Sequence, residues 1–147
     1  MRTSLSARCE RFFTARDSLR QAFPFEHAQM IPICAGMAAG QDRPWDVGRL
    51  YACRDLLKEK TGLFSHFRGA GRLAMITLLS LSPAPEERMA FALQIYKALR
   101  ERFFASQYLP LAALLLTDWA QGRDLDGVAA RAGEIYRRMK LEHPFLT

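Results

Sequence analysis

The chain has 147 residues, half of them hydrophobic, which is enough to fold as a single domain, residues 1–147, around its own core. Its three cysteines are too few for a disulfide framework or a cysteine-rich metal site, and no apolar segment reaches the roughly 20 residues of a membrane span. The net charge of +6 is spread among acidic residues, which indicates solvated helix faces rather than a nucleic-acid or membrane surface.

The first predicted element is a helix over residues 3–22. It has the largest local excess of positive charge, because residues 2–20 contain five arginines against Glu10 and Asp17. These charges interrupt the apolar segment that a secretion signal requires, so the expected location is the cytoplasm. Nucleic-acid binding along this helix is an alternative, which weak binding without a steep salt dependence would exclude.

Three later segments resemble one another at a spacing of about 40 residues. They begin at Gly40, Ser82 and Gly122, and each continues with apolar residues at helical spacing and ends in a basic stretch. A shorter and more apolar helix precedes each of them, predicted over residues 31–39, 72–81 and 109–121. Because a helix pair cannot bury its own apolar surface, the sequence predicts an all-α array of antiparallel helical hairpins, α-solenoid-like, after the N-terminal helix. No segment alternates with a period of two, so no sheet is expected.

Capping residues indicate where these helices begin and end. Ser82 is predicted to cap the middle long helix with Pro83 in its first position, and Asp124 to cap the last one. Gly40 and Gly122 follow short helices and are expected to take the left-handed conformation that ends a helix.

The cysteines and two of the histidines have structural explanations. Cys9, Cys34 and Cys53 fall on apolar helical faces, which is typical of buried reduced thiols. His27 and His143 stand at turns or helix ends without a surrounding cluster of metal ligands, so no metal is predicted. A Ser-His-acid triad would lack a nucleophile-elbow motif, so we predict no catalytic residue and no cofactor.

The segment TGLFSHFRGAGRLA, residues 61–74, is the least helix-like one outside the hairpin turns. It brings four polar side chains and two glycines to the start of a helix, where free N–H groups and guanidiniums can bind a small anion or nucleotide. The candidate anion-binding residues are Ser65, His66, Arg68 and Arg72. The alternative is a polar loop between two repeats. The GAG sequence lacks the dinucleotide-binding pattern.

The last segment, EHPFLT, ends the final helix, since proline cannot continue it. Earlier repeats end in KTGLF and RFF, which predicts that an aromatic side chain packs under the next hairpin. No hairpin follows the last one, so either the chain is part of a longer protein or another subunit covers this face. The expected interface residues are Tyr136, Met139, Phe145 and Leu146.

These patterns predict a non-catalytic binding or scaffold protein. It would act by self-association into a homo-oligomer or by binding a protein partner. The alternative function is binding of a small anionic ligand or nucleotide at Ser65–Arg72, with or without turnover.

The chain from Leu56 onward resembles a family of uncharacterised bacterial proteins, domain of unknown function 4003. The resemblance rests on LLKEKTGLFSHFRGAGRLAMITLLSLS, IYKALRERFFASQYLPLAALLL and EIYRRMKLEHPFLT, and is most specific in FSHFRGAGR and HPFLT. It implies an all-helical cytoplasmic protein without an agreed activity, so no catalytic residue carries over. Similar members continue past the HPFLT segment, which implies that this chain is the N-terminal half of a longer one. His66 and Ala70 replace the family's proline and asparagine, so the resemblance assigns that loop no role.

Overall fold

The computed structural model describes residues 4–41, 45–62 and 66–145, and these ranges contain helices but no strand. The all-helical prediction is therefore confirmed. Within the same ranges, no helix combines the length and apolarity that crossing a bilayer requires. The α-helices are α1 (Leu5–Ala22), α2 (Met30–Ala39), α3 (Val47–Lys60), α4 (Arg72–Leu81), α5 (Pro85–Arg100), α6 (Leu109–Ala120) and α7 (Leu125–Glu142), with a 3-10 turn at His66–Arg68.

The start of α5 differs from the prediction. Ser82 ends α4 instead of capping α5, and its N–H donates to the Leu79 carbonyl. Helix α5 begins at Pro85, because a residue that precedes proline is driven out of helical geometry and Ala84 is such a residue. With Ala84 non-helical, Pro83 cannot occupy the first turn.

The caps around α7 were predicted correctly, and the one after α2 was not. Asp124 accepts a hydrogen bond from the Gly127 N–H at 2.9 Å, and Gly122 has a φ of +69°. Gly40 was expected to be left-handed, but its φ is −74°. Its N–H donates to the Gly36 carbonyl at 3.1 Å, so the helical pattern simply continues through it.

Helices α1, α3 and α5 each pack extensively on the helix that follows them, α2, α4 and α6 respectively. Helix α2 also packs on α4, α4 on α6, and α7 on α5. The pairs that the sequence joined as hairpins, α2 with α3 and α6 with α7, share few contacts among the described residues. The reason is that α2 and α4 are apolar on most sides, so each packs against helices on both flanks.

Helices α2, α4 and α6 lie side by side and run parallel. At their beginnings, Arg72 of α4 pairs with Glu26, which precedes α2. The Arg88 guanidinium fixes the other ends, since it donates to the Leu78 carbonyl of α4 at 3.4 Å and to Thr117 Oγ1 of α6 at 2.9 Å. Arg72 therefore anchors the start of α4 to the segment before α2, and Arg88 anchors the end of α4 to α6.

Helix α4 is the centre of the core, with seven of its ten residues buried. Its polar side chains are satisfied locally, because the Thr77 hydroxyl donates to the Leu73 carbonyl at 2.9 Å and the Ser80 hydroxyl to the Thr77 carbonyl at 2.8 Å. At the other extreme, only Val128 and Ala129 are buried among the 18 residues of α7. Most of the short helix α4 is therefore buried, as its apolar composition predicts, whereas most of α7 is not buried.

Two of the three cysteines are buried. Burial raises the pKa of the Cys34 and Cys53 thiols above the ordinary value. The prediction was wrong for Cys9, which is exposed, because α1 buries only its second half, at Ala15 and Leu19.

Candidate functional site

The predicted anion-binding loop contains an arginine that is already paired. Arg72 Nε donates to Glu26 Oε1 at 2.9 Å, and Arg72 Nη2 donates to the same oxygen. The Glu26 side chain is 7% exposed, so its charge is compensated almost entirely by this contact. No sequence pattern predicted this partner, which lies 46 residues away. Arg72 therefore anchors α4 to the loop before α2.

The other predicted anion-binding residues are Ser65, His66 and Arg68. Ser65 lies outside the described residues. His66 and Arg68 occupy the 3-10 turn, where His66 is exposed and Arg68 is partly buried. Among the described residues, Arg68 Nε is buried without a hydrogen-bond partner.

The glycines of this loop serve close packing on the start of α6. A Cβ atom at Gly69 would lie 2.6 Å from Gln107 Cβ, which no real pair of atoms tolerates. The adjacent Ala70 N–H donates to Gln107 Oε1 at 3.3 Å. This contact between the loop and α6 favours the polar-loop interpretation of the two glycines.

A groove of about 480 Å³ lies between α6 and α7, and its walls are almost entirely apolar. Helix α7 packs mainly on α5 and has few contacts with α6, so the space between α6 and α7 stays open. The most exposed apolar side chains of the lining are Leu115, Trp119, Ile135, Tyr136 and Met139, each between 46% and 53% exposed. We call this feature the α6–α7 groove.

Two of the four predicted interface residues, Tyr136 and Met139, line the α6–α7 groove. Phe145 follows α7 and is 98% exposed, and Leu146 lies outside the described residues. Tyr136 also forms an edge-to-face contact with Phe103, with ring centroids 5.7 Å apart. An aromatic that follows α5 thus packs on α7, as the repeat pattern predicts.

The predicted interface residues included none from the α6 wall of the groove. Leu115 and Trp119 are four residues apart and so share one face of α6. The signal was weak because α6 is apolar around most of its circumference, and a helix of that kind does not reveal which side remains open.

The rim of the groove is basic. The Arg123 guanidinium lies 4.3 Å from the Trp119 ring centroid, and Lys140 Nζ lies 5.4 Å from that of Tyr136. Arg131 lines the groove itself and donates to Glu134 Oε2 at 2.8 Å. Cations therefore stand beside both exposed aromatic rings.

In the part of the chain that the structure describes, no group of three or more His, Cys, Asp and Glu side chains could hold a metal ion.

The family model for the protein of unknown function DUF4003 matches residues 17–147. The chain therefore belongs to this family, as the resemblance from Leu56 onward indicated. No curated protein and no solved structure matches the chain.

Proposed function

We propose that this member of the DUF4003 family is a non-catalytic binding protein whose α6–α7 groove binds an amphipathic α-helix from outside residues 1–147. The observation that carries the proposal is the apolar stripe of Ile135, Tyr136 and Met139, which is about half exposed on α7 and lines one groove with Trp119 of α6. Contiguous exposed apolar surface with a polar rim is typical of protein interaction sites.

The contacts among the helices support a helix as the occupant. Helices α1, α3 and α5 each pack extensively on the helix that follows them, and α6 packs on both α5 and α4. A helix in the α6–α7 groove would contact α7 and α6 in the same way, as the next member of the series. The starts of α3, α5 and α7, at residues 47, 85 and 125, are 38 and 40 residues apart, which supports a hairpin array with this period as the finer description of the fold.

The size of the groove suits about three helical turns. The lining of α7 extends from Val128 to Met139, roughly 16 Å along a helix. Leu115 and Trp119 line the opposite wall.

The charges favour a partner with acidic flanks. Arg123, Arg131 and Lys140 border the groove, and the whole chain has a net charge of +6. Two copies meeting at this face would bring the same cations together, which disfavours symmetric association. We therefore propose a different protein segment as the occupant. Self-association into a homo-oligomer is the other outcome that the experiment must separate.

The test uses a fluorescein-labelled synthetic peptide of about five turns, with leucines at helical spacing and glutamates on both flanks. Fluorescence anisotropy should give saturable binding that Met139→Glu weakens at least tenfold, about 1.4 kcal/mol. Leu141→Glu is the matched control, since Leu141 is on α7, is 71% exposed and lies outside the groove. Sedimentation of the free chain at several concentrations measures self-association.

Three outcomes separate the possibilities. Peptide binding that Met139→Glu weakens and Leu141→Glu does not supports the proposal. Concentration-dependent dimerisation with the same pattern of variants assigns the groove to a second copy. A strictly monomeric chain that binds the peptide equally well with and without Met139→Glu refutes both.

A second candidate function is small-anion binding at the 3-10 turn, which the buried and unbonded Nε of Arg68 supports. His66 is exposed beside it and can add a hydrogen-bond donor. Thermal unfolding in phosphate or ATP tests this candidate. A stabilisation that Arg68→Ala abolishes supports it, and an equal shift in both proteins contradicts it.

A further inference from the structure

A second cavity, of about 620 Å³, lies between α2, α4 and α6. Met30, Ile33 and Met37 form the α2 wall, Ala74 and Leu78 form the floor, and α6 forms the third side. Ile33 is 55% exposed even though it belongs to this apolar lining. The volume is within the range of roughly 300 to 1,000 Å³ that is usual for small-molecule sites.

The polar groups of this cavity are confined to one end. Its polar lining residues are His27, Gln29, Gln107 and Tyr108, which immediately precede α2 and α6. They meet because the three helices are parallel, and the bond from Ala70 N–H to Gln107 Oε1 joins the starts of α4 and α6. From there to Leu78, the floor and walls are apolar.

The polar end of the cavity has a mildly positive character. The N-cap residues of α2, α4 and α6 make no side-chain capping bond, and none of these helices has an acidic residue in its first turn, although the Ser106 hydroxyl accepts from the Leu109 N–H at 3.3 Å. Side chains do cap α1, α3 and α7, through Ser4, Asp46 and Asp124. The nearby carboxylate, Glu26, is neutralised by Arg72. Three helix dipoles therefore point their positive ends at this end of the cavity, whose described lining contains no carboxylate.

We propose that this cavity binds a linear amphiphile of the fatty-acid type. The apolar tail lies between Ile33 and Leu78, and the carboxylate head accepts hydrogen bonds from the donors at the polar end, His27 and Gln29 among them. The methionines of the α2 wall adapt to a flexible chain, because a thioether side chain fills irregular space easily. The site is separate from the α6–α7 groove and does not depend on what binds there, although Leu115 borders both.

Isothermal titration with four probes tests the chemical class. Laurate has the proposed tail and head, dodecanol and dodecyltrimethylammonium change the head, and butyrate shortens the tail. We expect one saturable site for laurate, at least tenfold weaker binding of dodecanol, and none of the cation or butyrate. Absence of saturable laurate binding, or equal affinity for all three long-chain probes, overturns the proposal.

Paired variants locate the site. Ile33→Glu places a charge on the cavity wall, and Ile135→Glu makes the same change in the α6–α7 groove at a position of similar exposure, 46% against 55%. We expect the first to weaken laurate binding at least tenfold and the second to leave it unchanged. The reverse result assigns the amphiphile to the α6–α7 groove and overturns the proposed site.

A second pair of variants tests where the carboxylate head group binds. Gln29→Glu adds a negative charge at the polar end, and Gln94→Glu adds it on α5, at another exposed glutamine that does not line the cavity. We expect Gln29→Glu to lower the affinity for laurate at least threefold and to leave dodecanol unaffected, because only laurate has a charged head. Equal effects of the two variants on laurate would refute this placement.

Discussion

The ion pair of Arg72 and Glu26 allows a quantitative test of how α4 is anchored. We expect Arg72→Met to lower the free energy of unfolding by about 2 kcal/mol, because a carboxylate that is 7% exposed loses the cation that compensates its burial. Glu26→Gln should cost about 1 kcal/mol, since the remaining guanidinium is 33% exposed and can be hydrated. In the double variant the losses should fall short of their sum by about 1 kcal/mol, because the two groups share one contact.

Urea denaturation followed by circular dichroism measures these free energies. Arg54→Met is the matched control, because Arg54 pairs with its exposed neighbour Asp55 and its loss should not change stability measurably. If Arg72→Met costs no more than Arg54→Met, the reasoning about burial is refuted. If phosphate stabilises the wild-type chain and not the Arg72→Met variant, Arg72 binds an anion instead.

The other predictions concern thiols and glycines. A maleimide reagent should label Cys9 rapidly in the native protein, whereas Cys34 and Cys53 should react only at the rate of unfolding. Burial raises the pKa of these two thiols. Their contribution to stability is therefore intact below the ordinary thiol pKa of about 8.5 and is lost as the pH rises towards their pKa values in the folded protein. Alkaline denaturation should accordingly be less steep in a Cys34→Ala/Cys53→Ala variant. Gly122→Ala should lower the stability by about 1 kcal/mol in thermal or urea unfolding, because its φ is +69°. Gly40→Ala should instead leave it unchanged or raise it by about 0.5 kcal/mol, since its φ is helical and a Cβ there meets only ordinary contacts.

Local signals in the sequence predicted the helices well. The apolar periodicity and the Gly122-x-Asp124 pair identified α7 with its start and its cap, because each of these features acts within a few residues. The start of α5 was predicted at Pro83, but the helix begins at Pro85. The preference of each proline for a non-helical predecessor decides in favour of Pro85, and this rule could have been applied at the outset.

Contacts between distant residues could not be predicted from the same signals. The partner of Arg72 is a glutamate that precedes α2, and nothing in the spacing of the sequence connects the two. The open face of α6 was also hidden, because its apolar residues surround the helix and only the packing of α7 on α5 determines which of them stay exposed. The groove therefore results from which helices pack against each other, and that depends on contacts along the whole chain.

The weak attachment of α7 has a consequence for its motion. A helix held by only two buried residues, Val128 and Ala129, can open locally while α4 and the rest of the core stay intact. Its amide hydrogens should then exchange with deuterium sooner than those of α4. Occupation of the adjacent groove would slow that exchange, because a ligand that binds only the closed helix stabilises it by mass action. Binding at the proposed groove should therefore be detected first in the amide hydrogens of α7.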